Sequence, residues 1–252
     1  MSAELLVLLL AGVGAGLTGS IAGLASLVSY PTLLAVGLSP IAANVTNTVA
    51  MTGTTIGAAA GSVPELRGQG RRLAELAGYM AVGGLLGVLL LLGAPPSVFE
   101  AVVPWLIALG AALLLARNRI RAYAAVPHPS ASRTGGAKVA WAVALLAVGT
   151  YSGYFGAGSG VILLATLAAR HYEPLAVTNA VKNIGTGVAN LVAAAVFLAT
   201  GPVDYVAAAA VGTGAVVGAW TGPKVVRVLP EEPLRISVAC AGFALAAWLL
   251  VS

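Results

Sequence analysis

Charge is what this sequence has least of. Only 8% of its 252 residues are Asp, Glu, Lys or Arg, where an ordinary soluble domain carries roughly 25%, and that scarcity excludes a water-soluble globule. Cysteine occurs once, at Cys240, so there is no intrachain disulfide framework; one thiol inside the last apolar run reads as a small packing residue. The two histidines, His128 and His171, stand in polar loops beside prolines, and neither H-E-x-x-H nor a paired Cys/His spacing is present, so no metal or other cofactor is expected. Apolar–polar alternation is missing as well, which argues against a β-barrel.

What is abundant is apolar length. Hydrophobic residues make up 59% of the chain, with 32 glycines and a mean hydropathy of +0.97. Several uncharged runs approach or exceed the roughly 18 residues that suggest a transmembrane helix, so the chain reads as an all-α polytopic membrane protein. The excess of 13 basic over 8 acidic residues then reports topology, and implies no nucleic acid. Met1-Ser2-Ala3-Glu4 lacks the positive region of a cleaved leader, so the first apolar segment is expected to be retained.

Apolar stretches run over Leu5–Leu38, Ile41–Val63, Leu76–Gly93 and Val98–Ala116, then over Val139–Ala169, Pro174–Thr200, Tyr205–Gly222 and Leu234–Val251. A first membrane repeat (1–116), a cytoplasmic linker (117–138) and a second membrane repeat (139–252) follow. Each half opens on an overlong stretch, too long for one span and too short for two at about 20 residues each, which suits a broken or re-entrant helical hairpin followed by three transmembrane helices. Val45-Thr46-Asn47-Thr48-Val49 with Gly53-Thr54 matches Val177-Thr178-Asn179-Ala180-Val181 with Gly185-Thr186. Upstream of each copy lie a proline, Pro40 or Pro174, and a glycine-rich stretch. Placing Arg67, Arg71, Arg72, the basic linker, Arg170, Lys224 and Arg227 in the cytoplasm makes the two halves inverted repeats, the arrangement that points to a secondary transporter with a midplane site.

Lys182 is the only basic residue well inside an apolar stretch, and a charge at the bilayer centre costs roughly 2.5–3.5 kcal/mol on insertion scales. It reads either as an anion-attracting group in a wet cavity or as a lysine that snorkels to the interface. Thr46, Asn47, Thr178 and Asn179 are placed identically in both halves and read equally as ligands for an oxyanion or as interhelical hydrogen bonders; Asn183, Thr54 and Thr186 are weaker candidates of the same kind. Gly14-Ala15-Gly16-Leu17-Thr18-Gly19 matches the dinucleotide fingerprint in form only, since no strand precedes it. These glycines, with Gly156, Gly158 and Gly160, either present backbone N–H groups to an anion or let helices approach closely. Glu100 and Asp204 near span ends read as solvated carboxylates or proton relays, and Asn44-Val45-Thr46 as an incidental glycosylation sequon.

The two related halves, the stretch Gly153-Tyr154-Phe155-Gly156-Ala157-Gly158-Ser159-Gly160, the Pro-x-A element and the Thr/Asn motif together resemble the sulfite exporter TauE/SafE family of bacterial membrane permeases, over nearly the whole chain. The resemblance implies a multi-pass protein of a bacterial-type inner membrane that moves sulfite, a sulfonate or another small organic anion, often outward. The expected site comprises Thr46, Asn47, Thr178, Asn179, Lys182, Asn183, Gly156 and Gly158, and the expected partners are a small anion, membrane lipid and a coupling proton or ion. The repeat offset of 132 puts Ala50 opposite Lys182, so the site leans toward the second half. The alternatives are an anion channel or a non-catalytic membrane subunit, separated from a carrier by whether flux saturates. An intramembrane enzyme would need a nucleophile–base pair that the apolar runs do not supply.

Overall fold

The computed structural model describes residues 3–22, 24–124, 135–171, 173–225 and 231–251. Among them are eleven helices and no strand: α1 Ala3–Ala22, α2 Ser26–Ala35, α3 Pro40–Gly61, α4 Val63–Leu66, α5 Gly70–Gly93, α6 Pro96–Ala124, α7 Gly135–Tyr154, α8 Ser159–Ala168, α9 Leu175–Thr200, α10 Tyr205–Val225 and α11 Glu231–Val251. Gly70–Gly93, Pro96–Ile120 and Ala176–Thr200 are long and apolar enough to cross a membrane by themselves, and five further helices are apolar but shorter. His128, Arg133 and Arg227 lie outside the described residues.

Each overlong stretch is interrupted, as α1–α2 and α7–α8. The second break has a local cause. Gly156 and Gly158 take φ of +78° and +80°, a region that costs L side chains a Cβ clash and costs glycine nothing. Gly156 N–H returns to the Tyr151 carbonyl and closes the end of α7, while the Tyr151 hydroxyl donates across the break to the Ala157 carbonyl. At the start of α3, Ser39 precedes Pro40 and its Oγ accepts from Ala42 N–H at 3.4 Å; Pro suits this first position because its missing N–H has no helical partner there. Asp204 caps α10 by accepting from Ala207 N–H at 2.9 Å.

The tightest contacts join the two halves of the sequence. α1 lies along α10, and α5 along α7. Both seams are built on glycines four apart. A Cβ on Gly12 or Gly16 would strike the carbonyls of Val211 or Ala215, and one on Gly214 or Gly218 those of Leu9 or Val13. Likewise Gly83 and Gly87 abut Leu146 and Thr150, while Gly149 and Gly153 abut Gly83 and Gly84. Backbones this close gain van der Waals contact that lipid tails cannot match. Gly12, Gly14 and Gly16 therefore sit inside or beside a helix seam; Gly14 meets the Val28 side chain.

α3 and α9 also pack together, with opposite direction. Val45 at the start of α3 touches Gly201 just past α9, Thr46 Oγ1 accepts from Asp204 N–H at 3.0 Å, and near mid-length Thr55 meets Gly187. Beside this crossing an aromatic cluster ties α2, α6 and the α7–α8 break together: Tyr30 meets Phe155 edge-on at 5.3 Å, and Phe99 lies 6.2 Å from Phe155. Cys240 is exposed on α11; the packing role expected of it is not what the helix uses, since that face is turned outward.

Candidate anion cavity between α3 and α9

Lys182 is 2% exposed. It is among the residues that line a cavity between α3 and α9. The cavity offers about 80 Å³ to the centres of water-sized molecules, several times the roughly 10–15 Å³ that one water needs. One small oxyanion fits such a space.

Helical periodicity builds two of its walls. Lys182, Asn183, Thr186, Gly187 and Asn190 recur at the spacing of one face of α9, and Asn47, Thr48, Met51, Thr54, Thr55 and Ala58 do so on α3. Gly187 has to be bare, since a Cβ there would collide with Thr55 Cγ2. The remaining walls come from the two chain breaks: Ala25 and Ser26 at the start of α2, and Gly156, Ser159 and Gly160 at the start of α8. Two helix N-termini thus end on the cavity, and each carries a partial positive charge from its first N–H groups. Phe155 forms an apolar side. Lys182 is the one charged residue among the lining residues, and no cluster of metal-ligating residues occurs among the described residues.

Asn47 is held on both ends of its amide. Its Oδ1 accepts from the Ser29 hydroxyl and its Nδ2 donates to Ser26 Oγ at 3.0 Å, so α2 fixes the side chain while a second N–H of the amide remains for a ligand. Thr48, Thr54 and Thr186 return their hydroxyl hydrogens to carbonyls of their own helices at 2.6–3.0 Å, which leaves their oxygens as acceptors.

Four of the eight residues expected at the site meet here: Asn47, Lys182, Asn183 and Gly156. The other four are not on its lining. Thr46 accepts from Asp204 N–H at one end of the α3–α9 crossing, and Thr178 donates to Glu173 Oε1 at 3.0 Å. Gly158 turns the chain before α8, against Leu113 and Gly110; Asn179 is partly buried on α9. Asn44, 1% exposed, donates to the Tyr154 carbonyl at 2.9 Å, so its sequon lies in a helix contact. Ser26 and Ser159 escaped the sequence reading, although each is the first residue of the short helix after its break. Asn190 and Thr55 were also missed, and extending the Lys182–Thr186 and Asn47–Met51 spacings by one turn would have found them.

A second arrangement lies at the start of α9. Arg72 at the start of α5 grips Glu173 through two hydrogen bonds, 2.6 and 2.9 Å, and Thr178 completes the set. Burial raises the Glu173 carboxyl, but the Arg72 hydrogen bond and charge outweigh it and hold the group below its ordinary range. His171 is pushed down, first by burial and then by Arg72.

A family model described as Sulfite exporter TauE/SafE matches residues 8–249. No curated protein and no solved structure matches the chain.

Proposed function

The chain belongs to the sulfite exporter TauE/SafE family, and from that premise we propose that it is a secondary transporter binding one small oxyanion, such as sulfite or a sulfonate, at Lys182. The family implies a membrane transporter of sulfite or related sulfur anions. The observation that carries the finer reading is a buried lysine facing a cavity that holds no other charge. The oxygens of an anion bound there would accept from the Lys182 ammonium, the second Asn47 N–H and the N-terminal amides of α2 and α8, all of which border the cavity.

An inverted repeat is supported by direction. α3 and α9 run oppositely, while α1 runs with α10 and α5 with α7. With the Arg72 end of α5 in the cytoplasm under the positive-inside rule, Lys182 is approached from the cytoplasmic side through the α5–α7 ends. That direction suits export across a bacterial-type inner membrane, coupled to a proton or ion. Alternating access then works between two mixed bodies, α1–α2–α3–α10 and α5–α7–α8–α9, because both glycine seams bind a helix of one sequence half to a helix of the other.

Lys182→Gln is expected to abolish thermal stabilisation by sulfite or a sulfonate at fixed ionic strength and to reduce saturable flux in proteoliposomes at least tenfold, a loss of about 1.4 kcal/mol or more. Unchanged stabilisation and flux in that variant would remove the anion role from Lys182.

A further inference from the structure

A second and larger cavity, about 630 Å³, opens between the first turns of α5 and α7 and the segment after α8. Its lining carries Arg71, Arg72, Lys138, Arg170 and His171 against one carboxylate, Glu75. Of the four arginine and lysine cations two are engaged: Arg72 by Glu173 at 2.6 Å, and Arg170, whose guanidinium carbon lies 4.7 Å over the Trp141 ring; the His171 ring also meets Trp141, at 6.0 Å. Arg71 and Lys138 have no ion-pair partner among the described residues. Both are exposed at the rim, so their charges act on ions in the cavity mouth.

The floor of this cavity is apolar, Leu76, Leu145 and Leu167. Leu76 is also the side chain whose tip lies against Gly185 together with Leu163. Gly185 stands on α9 between Lys182 and Gly187, both of which line the smaller cavity. Gly185 is not among the lining residues of the smaller cavity and lies on another face of α9, where Leu76 and Leu163 pack α5 and α8 against that helix.

We propose that the basic cavity is an entry site, in which Arg71 and Lys138 collect small inorganic or sulfonate anions at the α5–α7 end of the molecule before they reach Lys182. The site rests on the transport reading for its purpose, but its capture of anions is testable without transport. A cleft lined by one sign of charge with low-dielectric walls concentrates counter-ions, and the effect weakens as salt screens it.

Trp141 lies on the cavity wall and is its natural reporter. In a background where Trp105, Trp220 and Trp248 are phenylalanine, iodide quenching of Trp141 measures anion accumulation, and neutral acrylamide measures access alone. Arg71→Gln with Lys138→Gln is expected to lower the iodide slope about twofold or more at low salt, to lose that difference at 0.5 M salt, and to leave the acrylamide slope unchanged. In proteoliposomes the same pair raises KM for the transported anion with kcat kept. Equal iodide slopes in both proteins would overturn the entry site, as would quenching that appears in detergent and vanishes in anionic-lipid nanodiscs, which marks the cavity as occupied by a headgroup. Neither result touches Lys182, whose own variant tests the transport reading.

Discussion

Glu173 joins three elements through two oxygens: Arg72 from α5, Thr178 from α9, and its own segment after α8. Its carboxyl is held below the ordinary range, so the charged form belongs to the folded state. A depressed carboxyl contributes stability that is present above its unfolded value, about 4.3, and is lost as pH falls through the lower folded value. Glu173→Gln is expected to cost about 1 kcal/mol at neutral pH and to flatten the loss of melting temperature in acid, measured from pH 7 down to pH 3. An acid limb identical to that of the parent would mean the pair adds nothing. Residues of this kind are hard to see in a sequence. Lys182 stood out because it breaks an apolar run, whereas Glu173 stands among polar loop residues and acquires its role only from Arg72, 101 positions away.

At the scale of elements, glycine carries two different functions that the sequence writes with the same letter. Gly156 and Gly158 turn the chain at positive φ, while Gly16, Gly87 and Gly218 are helical residues that let backbones touch. The interrupted hairpins were legible from run length and glycine density; which helix each glycine meets was not, because an apolar surface in lipid names no partner. Gly87→Ala or Gly218→Ala should destabilise by roughly 1–3 kcal/mol through overpacking. Gly78→Ala and Gly93→Ala, where nothing lies within 4 Å of an added Cβ, should be neutral or mildly stabilising through helix propensity. Melting temperatures of the four variants side by side decide this, and equal losses would refute the seams.

For the molecule as a whole, the question is which way its two motif helices cross the bilayer. In a Cys240→Ser background, Ser39→Cys before α3 and Pro174→Cys before α9 should react with an impermeant thiol reagent from opposite faces of sealed vesicles; labelling from one face would exclude inverted repeats. The expectation of a repeat comes from V-T-N-x-V-x-x-x-G-T in the sequence, and this labelling is its test. The proposed asymmetry of the site likewise comes from the sequence, where Ala50 stands at the position that Lys182 holds in the other half. What a repeat cannot convey is how its copies interlock.

The pairing of α1 with α10 bears on how the protein is made. Ribosomes add roughly 5–20 residues per second, and roughly 180 residues separate the end of α1 from the start of α10. α1 therefore waits about 10–40 s for the partner against which its glycines fit. During that interval its small-residue face is an unoccupied docking edge for any other helix in the bilayer. The α1–α10 seam is thus completed late in synthesis, after most of the helices that lie between the two in sequence have already been made.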